Sequence, residues 1–91
     1  MRQELKLRVK NKYYVYILEC SDKTLYTGYT THLNKRMKAH NAGKGAKYTR
    51  GRKPVKLIWS EEFQTLSEAL KKEINIKKLS KKEKLQIISQ K

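Results

Sequence analysis

The stretch YYVYILECSDKTLYTGYT, residues 13–30, decides the fold, because two segments of strand-forming residues flank a turn. The first segment, YYVYILEC, is rich in β-branched and aromatic residues and has apolar side chains at both parities, as in a strand covered on both faces. The residues SDKT supply a turn, and LYTGYT completes a hairpin. The first strand is therefore expected at the centre of a sheet.

The length of the hairpin loop determines which tyrosines share a face of the sheet. If the loop consists of residues 21–23, Tyr16 pairs with Gly28, and Tyr16 and Tyr26 become diagonal neighbours on one face. A loop of two or four residues would instead pair Tyr16 with Tyr29 and turn Tyr26 to the other face. Gly28 leaves room for the close approach of another group, whereas core packing is the alternative role of the tyrosines.

A helix is predicted after the hairpin. Thr30 or Thr31 is the expected N-cap, and the helix should end near Gly43. Leu33 and Met37 are four residues apart, so they fall on one face of this helix.

A third strand and a second helix follow. The segment VKLIWS, residues 55–60, has the composition of a strand. Thr65 and Glu68 form a T-x-x-E capping box, which opens a helix over about residues 66–78. Apolar side chains form an arc on this helix that should face the body of the protein. They are Leu66, Ala69, Leu70, Ile74 and Ile76.

Ser80 and Glu83 repeat the capping box at a final short helix, in which Leu85 and Ile88 are the expected packing residues. The order of strands and helices predicts an α+β fold. Its small three-stranded antiparallel sheet should be flanked by helices.

The chain is expected to be a single domain over residues 1–91, with its core at about 13–88 and a basic N-terminal extension at 1–12. The longest apolar run, residues 13–18, is too short for a helix that spans a membrane. Cys20 is the only cysteine, which excludes a disulfide framework and a zinc site built on several cysteines. These features predict a cytoplasmic protein.

The charge of the chain indicates its partner. There are 23 Lys and Arg against 8 Asp and Glu, a net charge of +15, and such a surface repels itself unless a polyanion neutralises it. Nucleic acid is the expected partner. A membrane is not expected, because no amphipathic helix combines a broad apolar face with a Lys-rich one.

The segment NAGKGAKYTRGRKP, residues 41–54, holds three of the four glycines and five cations without an acid, and it is predicted to be a loop. Cations around an aromatic ring suit a nucleic-acid backbone and a stacked base, although a solvated flexible loop would have a similar composition. It lacks a nucleotide-binding fingerprint, so no nucleotide cofactor is expected. The expected nucleic-acid-binding residues, called the basic loop residues below, are Lys44, Lys47, Tyr48, Arg50, Arg52 and Lys53.

Three polar residues on the predicted helices are candidates for a site. Arg36 and His40 are four residues apart and can touch one ligand, although two solvated residues would show the same spacing. Glu73 falls within the apolar arc, where a lone carboxylate is costly unless a cation, a metal or hydrogen bonds meet it. An intrahelical ion pair with Lys77 is the alternative.

Taken in order along the chain, these residues resemble the GIY-YIG nuclease domain. YVY at residues 14–16 and YTG at residues 26–28 take the places of the two motifs that name the family. Arg36 lies eight residues after the glycine of YTG, His40 lies four further, and Glu73 takes the position of the family glutamate. The resemblance runs from about Tyr13 to Lys78 and is greatest to the small stand-alone bacterial members.

The resemblance implies an endonuclease that hydrolyses phosphodiester bonds, with DNA favoured over RNA as the substrate. It also implies one divalent metal ion, Mg²⁺ or Mn²⁺, held by Glu73. It implies that Arg36 clamps the scissile phosphate. Tyr16 or Tyr26 would accept the proton of the attacking water, and His40 would assist. The five expected catalytic residues are thus Tyr16, Tyr26, Arg36, His40 and Glu73.

Two differences from the family pattern are visible. Tyr14 replaces the first glycine, and the segment LSKKEKLQIISQK offers no clear equivalent of the polar residue, often Asn, that supports the site after the glutamate helix. The second difference favours an alternative function, a non-catalytic nucleic-acid-binding module on the same fold.

Overall fold

The computed structural model describes residues 12–90 of the chain. Of the predicted N-terminal extension, all but Lys12 lies outside the described residues. The elements are β1 (Tyr13–Glu19), β2 (Leu25–Thr30), α1 (Leu33–Asn41), α2 (Lys47–Arg50), β3 (Lys56–Phe63), α3 (Leu66–Lys77) and α4 (Lys81–Ser89). This architecture confirms the predicted α+β fold. Over the described residues, no helix has both the length and the apolar character needed to cross a bilayer.

The sheet is antiparallel throughout and has the order β2-β1-β3, so β1 is central as predicted. One face of β1 presents Val15 and Ile17, which pack with Trp59 of β3 and with Ala69 and Ile76 of α3. Burial of this face attaches the C-terminal helices to the sheet, because apolar area is removed from water on both sides of the contact.

The opposite face of β1 forms a second core. Tyr16 and Leu18 pack with Val55 and, from α1, with Leu33 and Met37, which confirms the predicted apolar face of that helix. Because neighbouring side chains of a strand point to opposite faces, β1 needs apolar residues at both parities to fill two cores.

The hairpin has the three-residue loop, so of the two registers that the sequence left open the structure has the one that pairs Tyr16 with Gly28. Asp22 Oδ1 accepts hydrogen bonds from Thr24 N–H at 3.1 Å and from Thr24 Oγ1 at 2.6 Å. Lys23 takes the left-handed conformation with φ 71°, as the last position of such a loop requires. The loop chemistry thereby sets which tyrosines share a face.

The predicted cap of α1 is wrong, but its predicted end is right. His32 is the N-cap residue and makes no side-chain cap bond, whereas Thr30 Oγ1 accepts the His32 N–H at 3.1 Å and shapes the chain before the helix. At the other end Gly43 has φ 80°, and Lys44 N–H donates to Ala39 O at 2.8 Å. This is a Schellman motif, and its left-handed position explains the glycine.

Two predicted segments differ in extent from the observed ones. The basic segment 41–54 is not loop throughout, because Lys47–Arg50 form a single helical turn. The third strand continues to Phe63, beyond the predicted end at residue 60, since β1 offers it backbone partners as far as Tyr13.

Both predicted capping boxes are present, at Thr65 with Glu68 and at Ser80 with Glu83. The predicted apolar arc of α3 is too broad, because Leu66 and Ile74 are exposed while Ala69 and Ile76 are buried. The packed stripe is narrow, and Ile74 lies about 160° around the helix from Ile76.

The predicted packing residues of α4 are only half right. Ile88 packs against the core as expected, but Leu85 is 44% exposed and Ile87 takes the second packing position. A short helix shows too few turns for its apolar period to identify the buried face.

Candidate active site

An open cleft of about 350 Å³ lies at the hairpin and brings together four of the five expected catalytic residues. Its walls come from β1, β2, the start of α1 and the middle of α3. His40, the fifth, is completely buried directly behind Tyr16. The cleft residues are Tyr16, Tyr26, Gly28, Tyr29, Thr30, Thr31, Arg36 and Glu73.

Gly28 gives the Tyr16 phenol its place in the cleft. A Cβ atom at position 28 would lie 2.6 Å from Tyr16 Oη and 3.2 Å from Tyr26 Cε2, inside van der Waals contact. The glycine in the strand is therefore explained by the close approach of a phenol to its backbone, as the sequence predicted.

A chain of buried hydrogen bonds runs from the cleft into α2. Tyr16 Oη lies 3.0 Å from His40 Nε2, and His40 Nδ1 lies 2.9 Å from Thr49 Oγ1. Thr49 Oγ1 donates its single proton to Ala46 O at 3.0 Å, so it must accept from the imidazole. His40 therefore carries its proton on Nδ1, and Nε2 accepts the hydrogen bond of the Tyr16 hydroxyl.

The protonation states of this chain follow from its burial. Burial raises the pKa of Tyr16 above its ordinary value; Tyr26 raises it further, while the charge of Arg36 lowers it. Burial, with a smaller contribution from Arg36, lowers the pKa of His40 below its ordinary value. At neutral pH the phenol is protonated and the imidazole is neutral, as the hydrogen bonds require.

Sequence reasoning missed two residues that hold His40. Thr49 is completely buried and orients the ring, and a Cβ atom at Gly45 would lie 2.6 Å from His40 Cγ. Both residues lie in the basic segment 41–54, where only the cations and Tyr48 were predicted to have a function. The available signal was a threonine and a glycine among the basic residues, which is too common to single them out.

The basic loop is tied to the hairpin. The rings of Tyr48 and Tyr26 stack with centroids 5.9 Å apart, and Arg52 Cζ lies 4.0 Å from the centroid of the Tyr48 ring. Arg52 Nε also donates to Asp22 Oδ2 at 3.0 Å, and its backbone carbonyl accepts from Ser21 N–H at 2.9 Å. Two of the six basic loop residues thus make defined protein contacts, which argues against a flexible loop.

The other four basic loop residues are exposed to solvent. They are Lys44, Lys47, Arg50 and Lys53. Of these, Lys44 lines a second cleft together with Arg36, so it lies beside the candidate site.

Glu73 is the only carboxylate among the described residues that line the site cleft. Its side chain is 12% exposed, and Oε2 pairs with Lys77 Nζ at 3.2 Å, while Lys77 itself is largely exposed. The structure therefore contains the predicted alternative ion pair and also directs Glu73 to the cleft.

The cleft fits one hard divalent cation. In the described part of the chain no cluster of three His, Cys, Asp or Glu side chains could hold a metal. Mg²⁺ commonly binds through one or two carboxylates and completes its shell with waters and substrate phosphates, which the single carboxylate of Glu73 in an open cleft allows.

Comparison with known proteins shows the family. The model of the GIY-YIG catalytic domain matches residues 12–86. A UPF0213 protein of Syntrophus aciditrophicus is 60% identical over 81 residues, which cover 88% of this chain and 93% of that protein. A UPF0213 protein of Clostridium perfringens is also 60% identical, over 86% of this chain and 84% of its own length.

Two structures determined by NMR have a similar fold. The UPF0213 protein of Bacillus halodurans is 50% identical with a TM-score of 0.59 and covers 88% of this chain and 85% of its own. A protein of E. faecalis is 47% identical with a TM-score of 0.63, over 89% and 86% of the two chains. Since the family model spans most of the sequence and these relatives match nearly their whole length, the chain belongs to the family of the GIY-YIG catalytic domain and has its nuclease-type fold.

Proposed function

We propose that the protein is an endonuclease that hydrolyses phosphodiester bonds in DNA and uses one divalent metal ion, Mg²⁺ or Mn²⁺. The observation that carries the proposal is the convergence of Arg36, Glu73 and a hydrogen-bonded Tyr16–His40 pair at one open cleft. These groups supply charge stabilisation, a metal ligand and a proton acceptor, which phosphodiester hydrolysis requires. Nucleic acid is the substrate class that the family suggests and that the net charge of +15 favours.

Arg36 binds the scissile phosphate in this proposal. It lines the cleft and is exposed, so its planar fork of N–H donors is available to two phosphoryl oxygens. Glu73 would hold the metal ion, which when bound neutralises charge on the phosphoryl group and on the leaving oxygen. Lys77 must then share the Glu73 carboxylate or leave it, and its exposure makes that movement easy.

Tyr16 and His40 form a proton relay. The attacking water gives a proton to Tyr16 Oη while the phenol proton passes to His40 Nε2, so a phenolate is not required. The water oxygen forms the new bond to phosphorus, the bond to the leaving oxygen breaks, and that oxygen takes a proton from solvent. The raised pKa of Tyr16 fits a relay better than a free base.

Tyr26 is the weaker candidate for the base. Its hydroxyl has no protein acceptor among the described residues, and its contacts with Tyr16, His40 and Tyr48 are through the ring. Its proposed role is to orient the phenol of Tyr16 and to connect the cleft to the basic loop.

The buried thiol of Cys20 fits a reduced compartment, and the proposed location is the cytoplasm.

A non-catalytic nucleic-acid-binding module is the second candidate. The Glu73–Lys77 pair favours it, because the pair satisfies the carboxylate without a metal, and no asparagine of residues 12–90 lines the cleft. Labelled single-stranded, duplex and branched DNA, incubated with Mg²⁺ or Mn²⁺ and separately with chelator, test the two candidates. Cleavage that occurs with the metal ion and not with chelator supports the endonuclease. Binding without cleavage of any substrate supports the binding module.

A further inference from the structure

The site cleft does not end at the candidate catalytic residues. It shares Thr30, Thr31 and Arg36 with a second cleft of about 400 Å³, which in turn shares Thr31, His32 and Lys35 with a third of about 620 Å³. Because neighbouring clefts share lining residues, the three clefts lie side by side along the start of α1. We call the second and third clefts together the α1 groove; its side chains used below are Tyr14, His32, Asn34, Lys35 and Lys44.

The lining of the α1 groove has the chemistry of a phosphate-binding surface. Lys35, Arg36 and Lys44 are its cations, and no Asp or Glu is found among the described residues that line it. The first turn of α1 has no acidic residue either. Positive charge together with amide and hydroxyl donors suits phosphate oxygens, and Tyr14 offers an aromatic ring at the far end.

The two lysines of the α1 groove, Lys35 and Lys44, make no contact with other described residues through their charged groups. Within residues 12–90, neither Lys35 nor Lys44 has a side-chain hydrogen bond or an ion pair. Arg52, in contrast, is engaged with Asp22 and Tyr48. A ligand that binds Lys35 and Lys44 therefore breaks no protein contact.

We propose that the α1 groove binds the nucleic-acid strand on one side of the scissile phosphate, with Lys35 and Lys44 on successive parts of its backbone. The position of the scissile phosphate rests on the proposed function. A strand that is cut internally must continue beyond the site cleft. The α1 groove adjoins the site cleft and offers the strand basic side chains.

The test is binding of a short mixed-sequence single-stranded oligodeoxynucleotide, labelled with fluorescein, in chelator so that no cleavage occurs. The double variant Lys35→Gln with Lys44→Gln removes two charges from the groove. Because each phosphate contact contributes about 0.7 to the log–log salt slope on a single strand, the slope should fall by about 1.4 and affinity by roughly 10- to 30-fold at about 0.1 M salt. The control, Lys78→Gln with Lys82→Gln, removes the same charge from exposed positions outside the groove and should change affinity less than about threefold.

Four results would overturn the inference. Equal losses in both double variants would show an unspecific effect of net charge. A larger loss in Arg50→Gln with Lys53→Gln than in the groove variant would place the strand over the basic loop. Wild-type protein that binds no DNA would remove the proposed function as well, whereas normal wild-type binding that is insensitive to the groove substitutions removes only this inference.

Discussion

Replacing Thr49 by valine tests the hydrogen-bond chain behind the cleft. Valine has nearly the same shape but has no hydroxyl, so the His40 Nδ1–H loses its acceptor in a completely buried position. Ala46 O keeps a partner, because Thr49 N–H also donates to it at 3.1 Å. The cost is thus that of one unsatisfied buried group, about 1–3 kcal/mol of unfolding free energy. For a chain of this size that is roughly 5 to 20 °C in melting temperature.

The assay combines thermal unfolding with an NMR spectrum of the imidazole nitrogens. In the wild type, His40 should show a protonated Nδ1 and a bare Nε2, and exposed His32 serves as the internal reference. Thr49→Ser keeps the hydroxyl and loses one buried methyl group, so it should keep this tautomer and lose no more than about 1.5 kcal/mol. Thr49→Val should lose more stability and the fixed tautomer.

Two outcomes would refute this account of the chain. A wild-type His40 protonated on Nε2 would reverse the direction of the Tyr16 hydrogen bond and remove the proposed relay. A Thr49→Val protein that melts at the wild-type temperature would show that the hydroxyl contributes nothing to the position of the ring.

Two further predictions concern packing and pH. Gly28→Ala and Gly45→Ala each place a methyl group against a buried ring and should lower the unfolding free energy by about 1–3 kcal/mol. Gly51→Ala has no atom within 4 Å of the new carbon and should change it by less than about 0.5 kcal/mol. Equal melting temperatures for all three variants would contradict this packing. The pKa of His40 is lower in the folded protein than the unfolded value of about 6.5, so on acidification the unfolded chain takes up the proton first. The unfolding free energy should therefore fall as the pH falls below about 6.5, until the folded pKa is reached. His32→Gln should keep this pH dependence, and its loss in that variant would assign the effect to the wrong histidine.

The features that the sequence predicted correctly depend on neighbouring residues. Asp22 and Thr24 lie in the predicted turn and bond to each other, and both capping boxes join residues three positions apart. Gly43 ends α1 because the residue after the C-cap of the helix takes the left-handed conformation, which favours glycine. In such cases local chemistry determines the backbone, so a short pattern is enough to predict it.

The features that the sequence did not predict depend on tertiary contacts. Thr49 meets His40 only because the Schellman motif and the α2 turn fold the basic segment back over the ring. Ile74 and Leu85 are apolar yet exposed, because the face of each helix that packs against the core is narrower than the spacing of apolar residues indicated. Whether Glu73 serves the cleft or only Lys77 is likewise undecided by spacing, because both arrangements occur together.

The central claim is tested most directly by comparing DNA cleavage by Glu73→Gln and by Lys77→Gln. Glu73→Gln keeps the shape of the side chain and removes the charge that would hold the metal ion, while Lys77→Gln removes the ion-pair partner and leaves the carboxylate in the cleft. The account predicts that with Mg²⁺ the wild type and Lys77→Gln cut DNA and Glu73→Gln does not. Binding of DNA in chelator should change little, since Glu73 is one acidic residue in a chain that has 23 cations.

The opposite pattern would contradict the account. If wild-type protein cuts none of the DNA substrates with Mg²⁺ or Mn²⁺, and Glu73→Gln and Lys77→Gln lower the melting temperature equally, then Glu73 serves only the ion pair. The protein would then be the binding module.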